Sequence, residues 1–217
     1  MINKMQPQSG RSMIEMLGVL AVIGVLTVGG FSLISKVTTS HKSNVAIDEI
    51  GALANRTRMV FREFVLDNKS SITSASSTAV PMNEYLCKAR AYPESLEYPK
   101  DSNGKCESGK TFISTHDIKF NVQCFRNNDV DYFYIEVSQL DDEMCMAIAQ
   151  STWGSPSING YVGICIGSSC TNGGVVGNTN PGANVAKGGA KLSLDGASSA
   201  CVSGNTTTGN QVFLTYR

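Results

Sequence analysis

Glu15 is the residue of the N-terminal segment best placed to do chemistry, because it precedes a long apolar stretch. Residues 16–35 contain no charged side chain. A carboxylate carried to the middle of a lipid bilayer costs on the order of a few kcal/mol. Glu15 therefore either rests in the headgroup layer of a membrane or has a positively charged partner inside an apolar assembly.

Seven cysteines supply a second kind of chemistry, the formation of disulfide bonds. All of them follow residue 86, at Cys87, Cys106, Cys124, Cys145, Cys165, Cys170 and Cys201. This asymmetry predicts that the C-terminal part occupies an oxidising compartment. The alternative is a set of buried, reduced thiols in a cytosolic protein. Because seven is odd, at least one thiol is free or bonded to another chain.

The sequence lacks the motifs of the common enzyme classes, and we expect no catalytic function. It contains no GxxxxGK[ST] or GxGxxG loop and no HExxH, GxSxG or CxxC motif. Calcium could bind to Asp129, Asp131, Asp141, Asp142 and Glu143, but these residues do not follow the EF-hand pattern. The 18 basic and 18 acidic residues balance, and the basic residues do not cluster along the chain. We therefore expect no metal, no cofactor and no nucleic-acid partner.

The apolar stretch has the length of a membrane span. As a helix, residues 16–35 would be about 30 Å long, the thickness of the hydrocarbon core of a bilayer. Lys4 and Arg11 precede the stretch, which predicts a cytoplasmic N-terminus and an exported C-terminal part. A cleaved secretory signal would have a shorter apolar region and a small-x-small cleavage site. A plain signal anchor fits the hydropathy equally well.

The residues around Glu15 resemble the cleavage site of type IV prepilins, most closely those of plasmid-encoded and other type IVb-like systems. The segment GRSMIEML at residues 10–17 ends a basic leader with glycine and places glutamate five positions later, before the apolar stretch. In that family, an inner-membrane peptidase cuts after the glycine, and the glutamate is fifth in the mature chain. Arg11 departs from the family pattern, which usually has Phe or Met at this position.

The resemblance implies cleavage between Gly10 and Arg11 and a role for Glu15 in assembly. Cleavage would expose an α-amino group on Arg11, mostly cationic at neutral pH and usually methylated in the family. In a stack of identical helices, this cation could pair with Glu15 of a neighbouring copy. The implied partners are copies of the chain and other pilins, the prepilin peptidase, the inner-membrane assembly platform and, before assembly, the lipid bilayer. The precursor would lie in the inner membrane and the product in an extracellular pilus or a periplasmic filament.

One long helix is predicted to position these residues. Apolar or small residues recur every three or four positions at Ile47, Ile50, Leu53, Ala54, Thr57, Val60, Phe61, Phe64 and Val65. The polar face is assigned to Asp48, Glu49, Arg56, Arg58, Arg62 and Glu63, and the DNKSS stretch at 67–71 should end the helix. A single helix over residues 12–66 would measure about 80 Å. Its apolar side needs a sheet of the same chain as cover.

The rest of the chain predicts a sheet with short helices. Strands are expected at 111–114, 118–125, 132–138, 160–166 and 211–216, helices at 82–91 and 141–151, and long surface loops at 167–191. The predicted fold class is α+β and pilin-like, with a long N-terminal helix, membrane half plus amphipathic half, packed on an antiparallel head. We divide the chain into a leader (1–10), a transmembrane and assembly helix (11–36), an amphipathic continuation (37–69) and a disulfide-bonded head (70–217).

The prepilin resemblance also bears on the disulfides, because pilins commonly clamp their C-terminal region with one. Three pairs are candidates, in the order Cys145–Cys201, Cys165–Cys170 and Cys87–Cys106. Cys124 would remain free on the apolar side of its predicted strand, where a buried thiol fits. The connectivity stays open, since separation in sequence does not determine separation in space.

A structural subunit of a type IV pilus-like filament is the leading hypothesis for function. A pseudopilin of a type II secretion machine is the nearest alternative, although pseudopilins tend to be smaller. A bitopic membrane protein with an extracytoplasmic binding domain is an alternative from another class. Such a protein would have no need for Gly10 and Glu15 at this spacing.

Overall fold

The computed structural model describes most of the chain. The described residues are 13–72, 79–167, 170, 185–202 and 210–217. Within these ranges, only the backbone is described for residues 13, 14, 28–33, 35 and 202. The chain divides into two compact units, Met1–Ser40 and His41–Arg217.

The described elements are helices and short to medium strands. The helices are α1 (Met13–Asp67), α2 (Asn83–Lys88), α3 (Asp142–Gln150), α4 (Pro156–Asn159) and α5 (Leu194–Val202). The strands are β1 (Val80–Pro81), β2 (Leu96–Glu97), β3 (Phe112–Ser114), β4 (Lys119–Asn127), β5 (Val130–Leu140), β6 (Tyr161–Ile166), β7 (Val185–Lys187) and β8 (Asn210–Tyr216). The predicted α+β class, with an N-terminal helix and an antiparallel sheet, is confirmed.

The sheet is built on the β4–β5 hairpin. Its strands run in the order β2-β3-β4-β5-β8-β6-β7, with β1 paired to β4, and every pair is antiparallel. Asn128 and Asp129 form the hairpin turn with φ of 49° and 60°, as a two-residue type I′ turn requires. The final strand, β8, lies inside the sheet between β5 and β6.

The main core of the larger unit lies between one face of the sheet and the C-terminal part of α1. Ile50 and Leu53 of α1 are fully buried, as are Val122 of β4 and Ile135 of β5. The alternation of buried residues along β4 is the one its sequence predicts. α3 contacts α5 and β8 at the same face, and the Asp141 side chain caps α3 by accepting a hydrogen bond from the Met144 amide at 2.7 Å.

One buried carboxylate corrects the predicted helix face. Glu49 is only 3 % exposed. It lies three residues after Ala46 and four before Leu53, and this spacing puts it on the buried face of α1. Neither of its carboxylate oxygens makes a hydrogen bond within the described residues. Burial raises the pKa of Glu49, and the nearby Ser95 side chain offsets part of this rise. The assignment of Glu49 to the polar face is wrong.

We expect Glu49→Gln to raise the free energy of unfolding at neutral pH by on the order of 1 kcal/mol. Because its pKa is higher in the folded than in the unfolded state, wild-type Glu49 contributes full stability below the unfolded pKa. This contribution is lost as the pH rises through the folded pKa. Urea unfolding at about pH 4 and about pH 7.5 measures the difference. The matched control is Asp48→Asn, at the exposed neighbouring position, and an equal Glu49→Gln effect at both pH values would contradict the account.

The region 167–191, predicted as loops, contains a strand. β7 occupies Val185–Lys187 and pairs with β6, in the register Cys165↔Val185. Residues 168, 169 and 171–184 lie outside the described set. The short run of apolar residues in β7 gains its partner from β6, which the local composition does not reveal.

Candidate functional site

Glu15 lies in the first turn of α1 and is exposed. A carboxylate in this position is favoured by the partial positive charge at the start of a helix. Within the described residues, Glu15 forms no ion pair. Gly10 and Arg11, the predicted cleavage site, lie outside the described residues.

The residues that follow Glu15 form an exposed apolar segment, residues 16–27. Its large side chains are 54–75 % exposed, namely Met16, Leu17, Val19, Leu20, Val22, Ile23, Val25 and Leu26. Every residue from 15 to 27 is exposed, so all sides of the helix lack cover. Burying these eight apolar side chains would contribute on the order of 10 kcal/mol. A helix that is apolar all round requires an apolar neighbour.

Two threonine hydroxyls of α1 are satisfied by the helix itself. The Thr27 hydroxyl donates to the Ile23 carbonyl, and the Thr38 hydroxyl donates to the Ile34 carbonyl at 2.9 Å. Such bonds to the carbonyl four residues earlier remove the need for water. The surface of the helix can therefore enter apolar surroundings without leaving these polar groups unpaired.

Gly18 and Gly24 have no packing role that the described chain explains. A Cβ atom placed on either residue would meet nothing within 4 Å. Glycine inside a helix destabilises it by about 1 kcal/mol relative to alanine. Glycines on an apolar helix allow a second helix to approach closely, so both positions suit contact with another helix.

The membrane span predicted over residues 16–35 includes residues whose side chains the structure does not describe. The side chains of residues 28–33 and 35 lie outside the described set. Within the described part of the chain, no helix has the length and hydropathy needed to cross a membrane.

The predicted presence of disulfides is confirmed. The bridges are Cys145–Cys201, Cys165–Cys170 and Cys87–Cys106, with Cα–Cα distances of 5.8, 5.7 and 6.1 Å. Cys145–Cys201 joins α3 to α5 and lies in the main core. Cys124 is free and buried. Burial, aided by the charge of Asp131, raises the pKa of the Cys124 thiol to about 12, so it stays protonated and unreactive at neutral pH.

Removing the Cys145–Cys201 bridge should destabilise the head more than removing Cys165–Cys170. The first bridge joins residues 56 apart and the second joins residues 5 apart. In the chain-entropy model, these loops correspond to about 4 and about 2 kcal/mol. We expect the double variant Cys145→Ser/Cys201→Ser to lose about twice as much free energy of unfolding as Cys165→Ser/Cys170→Ser. Chemical unfolding under non-reducing conditions measures both, and an equal or reversed order would contradict this assignment of the bridges.

One cluster of basic side chains is not apparent from the sequence. Arg56, Lys88, Arg90, Lys100 and Lys105 line a single cavity, although no basic cluster is visible along the chain. They come from α1, from the end of α2 and from the loop after β2, so only the tertiary fold brings them together.

The N-terminal part of α1 has the properties of a binding surface. It offers one carboxylate, an apolar surface on all sides and two glycines without contacts. Within the described residues, no group of three or more His, Cys, Asp or Glu side chains could hold a metal ion. This part of α1 can join apolar helices and can place one negative charge among them. No family model, no curated protein and no solved structure matches this chain.

Proposed function

We propose that this chain is a structural subunit of a type IV pilus-like filament, processed by a prepilin peptidase and assembled through its N-terminal helix. The exposed apolar segment of α1, residues 16–27, is the observation that carries the proposal. Its eight large apolar side chains are stable only in lipid or against other apolar helices. A filament subunit meets both surroundings in turn, the bilayer before assembly and neighbouring subunits afterwards.

Glu15 gives the assembly its register. Cleavage after Gly10 leaves a cationic α-amino group on Arg11, four residues before the Glu15 carboxylate. Inside a bundle of apolar helices, the amine of one subunit pairs with the Glu15 carboxylate of its neighbour. A shift of one helix along the other would separate these charges, so the pair selects a single stagger between subunits.

The glycines of α1 support the same arrangement. Gly18 and Gly24 present no side chain to a neighbouring helix, and no contact within the described chain needs them small. Helices can approach most closely at such positions. The hydroxyl groups of Thr27 and Thr38, already bonded to their own helix, add no cost when the helices pack together.

The head suits the outside of the cell. Three disulfides stabilise it, and such bonds persist in oxidising compartments. An N-terminal helix with an antiparallel sheet is compatible with a pilin-like fold, which we include in the proposal. The filament is then an extracellular pilus or, as the alternative, a periplasmic pseudopilus.

The intact mass of the protein recovered from bacterial membranes tests the processing step. The full-length sequence is expressed in a bacterium that carries a prepilin peptidase, and a strain without the peptidase serves as control. We expect a chain that lacks residues 1–10 in the first strain and the complete chain in the second. The complete chain in both strains would contradict the proposal, and so would removal of the whole apolar stretch, as for an ordinary secretory signal.

A further inference from the structure

The larger unit, His41–Arg217, contains a groove with a strong excess of positive charge. Its cavity of about 610 Å³ is lined by eleven residues, of which five are basic and one, Glu94, is acidic. The basic groove is defined by Arg56, Lys88, Arg90, Lys100 and Lys105. The whole chain carries 18 basic and 18 acidic residues. The excess is therefore local to this groove.

The walls of the basic groove are fixed by covalent and hydrogen bonds. The Cys87–Cys106 disulfide joins two of its lining residues. The Asp101 side chain accepts hydrogen bonds from the amides of Asn103 and Lys105 at 2.9 and 2.8 Å. The Asp101 amide in turn donates to the Lys105 carbonyl at 2.9 Å. These bonds hold the turn that carries Lys105, so the groove exists before any ligand binds.

Most of the basic side chains form no ion pair within the described residues. Lys88 pairs with Glu84 at 2.6 Å. Within the described residues, Arg56, Arg90, Lys100 and Lys105 form no ion pair. The hydrogen bond from Lys88 is the main cause that lowers the pKa of Glu84, and the charge of Lys105 adds to it. Like charges gathered around one cavity repel each other, and an anion from outside would relieve that repulsion.

The backbone conformation of Arg90 also supports a binding role for the basic groove. Its φ is 53°, a left-handed conformation that residues other than glycine adopt uncommonly and at a cost of roughly 1 kcal/mol. The Arg90 amide donates to the Cys87 carbonyl at 3.1 Å, which keeps the residue in this turn. The strained turn places a guanidinium group on the groove, where it can bind a carboxylate, sulfate or phosphate group with two parallel hydrogen bonds.

The dimensions and the lining favour a short ligand over a nucleic acid. Cavities of about 300–1,000 Å³ typically hold small molecules. Non-specific binding of single-stranded nucleic acid relies on a long basic track and on aromatic side chains that stack with bases. Tyr92 is the aromatic residue of this groove, and its ring already packs against Phe112 with centroids 5.1 Å apart. We propose that the basic groove binds a short polyanionic ligand through its sulfate, phosphate or carboxylate groups.

Calorimetry on the purified full chain in detergent tests this site with a sulfated, heparin-derived disaccharide. We expect Lys100→Glu/Lys105→Glu to weaken binding by about tenfold or more, because it reverses two of the charges that face the ligand. Both lysines are exposed, so the fold should survive, and thermal unfolding checks this. Lys69→Glu/Lys191→Glu, which reverses two exposed charges outside the groove, is the matched control and should bind like the wild type.

Three further measurements decide between interpretations. Binding of the disaccharide should weaken as sodium chloride rises from about 0.05 M to about 0.3 M, and maltose, a neutral disaccharide, should not bind. Equal affinity of the wild type and the groove variant for the sulfated disaccharide would show that the basic groove is not the binding site. Tighter binding of a single-stranded oligodeoxynucleotide than of the sulfated disaccharide would overturn the ligand class. The groove lies within His41–Arg217, and failure of this test would leave the filament proposal unaffected.

Discussion

Replacing Glu15 with valine should reduce the yield of sheared filaments by about tenfold or more, while insertion of the precursor into the membrane continues. The variant removes a carboxylate from the edge of an apolar stretch, which favours insertion. In the filament, the amine of the neighbouring Arg11 would then be buried without a partner. Removing one member of a buried ion pair costs about 3–5 kcal/mol, and about 1.4 kcal/mol corresponds to a factor of ten in an equilibrium constant.

The matched control is Glu63→Val, which replaces an exposed glutamate on the same helix with the same residue. It should assemble like the wild type if the position of the charge is what matters. Each variant is expressed as the sole subunit, and filaments are quantified after shearing while membranes are assayed for the precursor. A normal filament yield from Glu15→Val would show that Glu15 is not needed for assembly.

Replacing Gly10 with valine should leave residues 1–10 on the chain and stop filament formation. The prepilin resemblance implies that the peptidase accepts only a small residue before the cut. Without the cut, Arg11 has no free α-amino group, so the cation proposed to pair with Glu15 of the neighbour does not form. Intact mass and filament yield should therefore change together.

The control Gly10→Ala distinguishes the effect of a large side chain on cleavage from the effect of losing glycine. Alanine is small enough that we expect cleavage to continue, at a reduced rate. A Gly10→Val chain that loses its leader and assembles normally would show that the site of processing lies elsewhere. A Gly10→Val chain that keeps its leader yet still forms filaments would show that assembly does not need the new amine.

The elements with strong local signals are predictable from sequence. The apolar period predicts α1 up to the DNKSS stretch, and α1 ends at Asp67. Alternation along β4 is equally clear, because Phe120, Val122 and Cys124 are buried and the residues between them are only half-buried. Because Cys124 falls on the apolar side of this alternation, it is predicted to be a buried free thiol, and the structure confirms this.

Elements that depend on distant partners are not predictable in this way. α5 has the sequence LDGASSACV, in which glycine, aspartate and two serines weaken the helix signal of leucine and alanine. Its fully buried Ala197 and the bridge from Cys201 to α3 hold it in place. The basic groove is hidden for a similar reason, since Arg56 and Lys105 line one cavity only after α1 and the loop after β2 pack together.

Helical reconstruction of sheared filaments by electron cryomicroscopy tests the central claim most directly. We expect each subunit to begin at Arg11 and the segments 16–27 of neighbouring copies to be in contact. The Glu15 carboxylate should lie within about 3 Å of the α-amino group of a neighbouring Arg11. A reconstruction in which residues 16–27 face solvent, or filaments that do not contain this chain, would contradict the account.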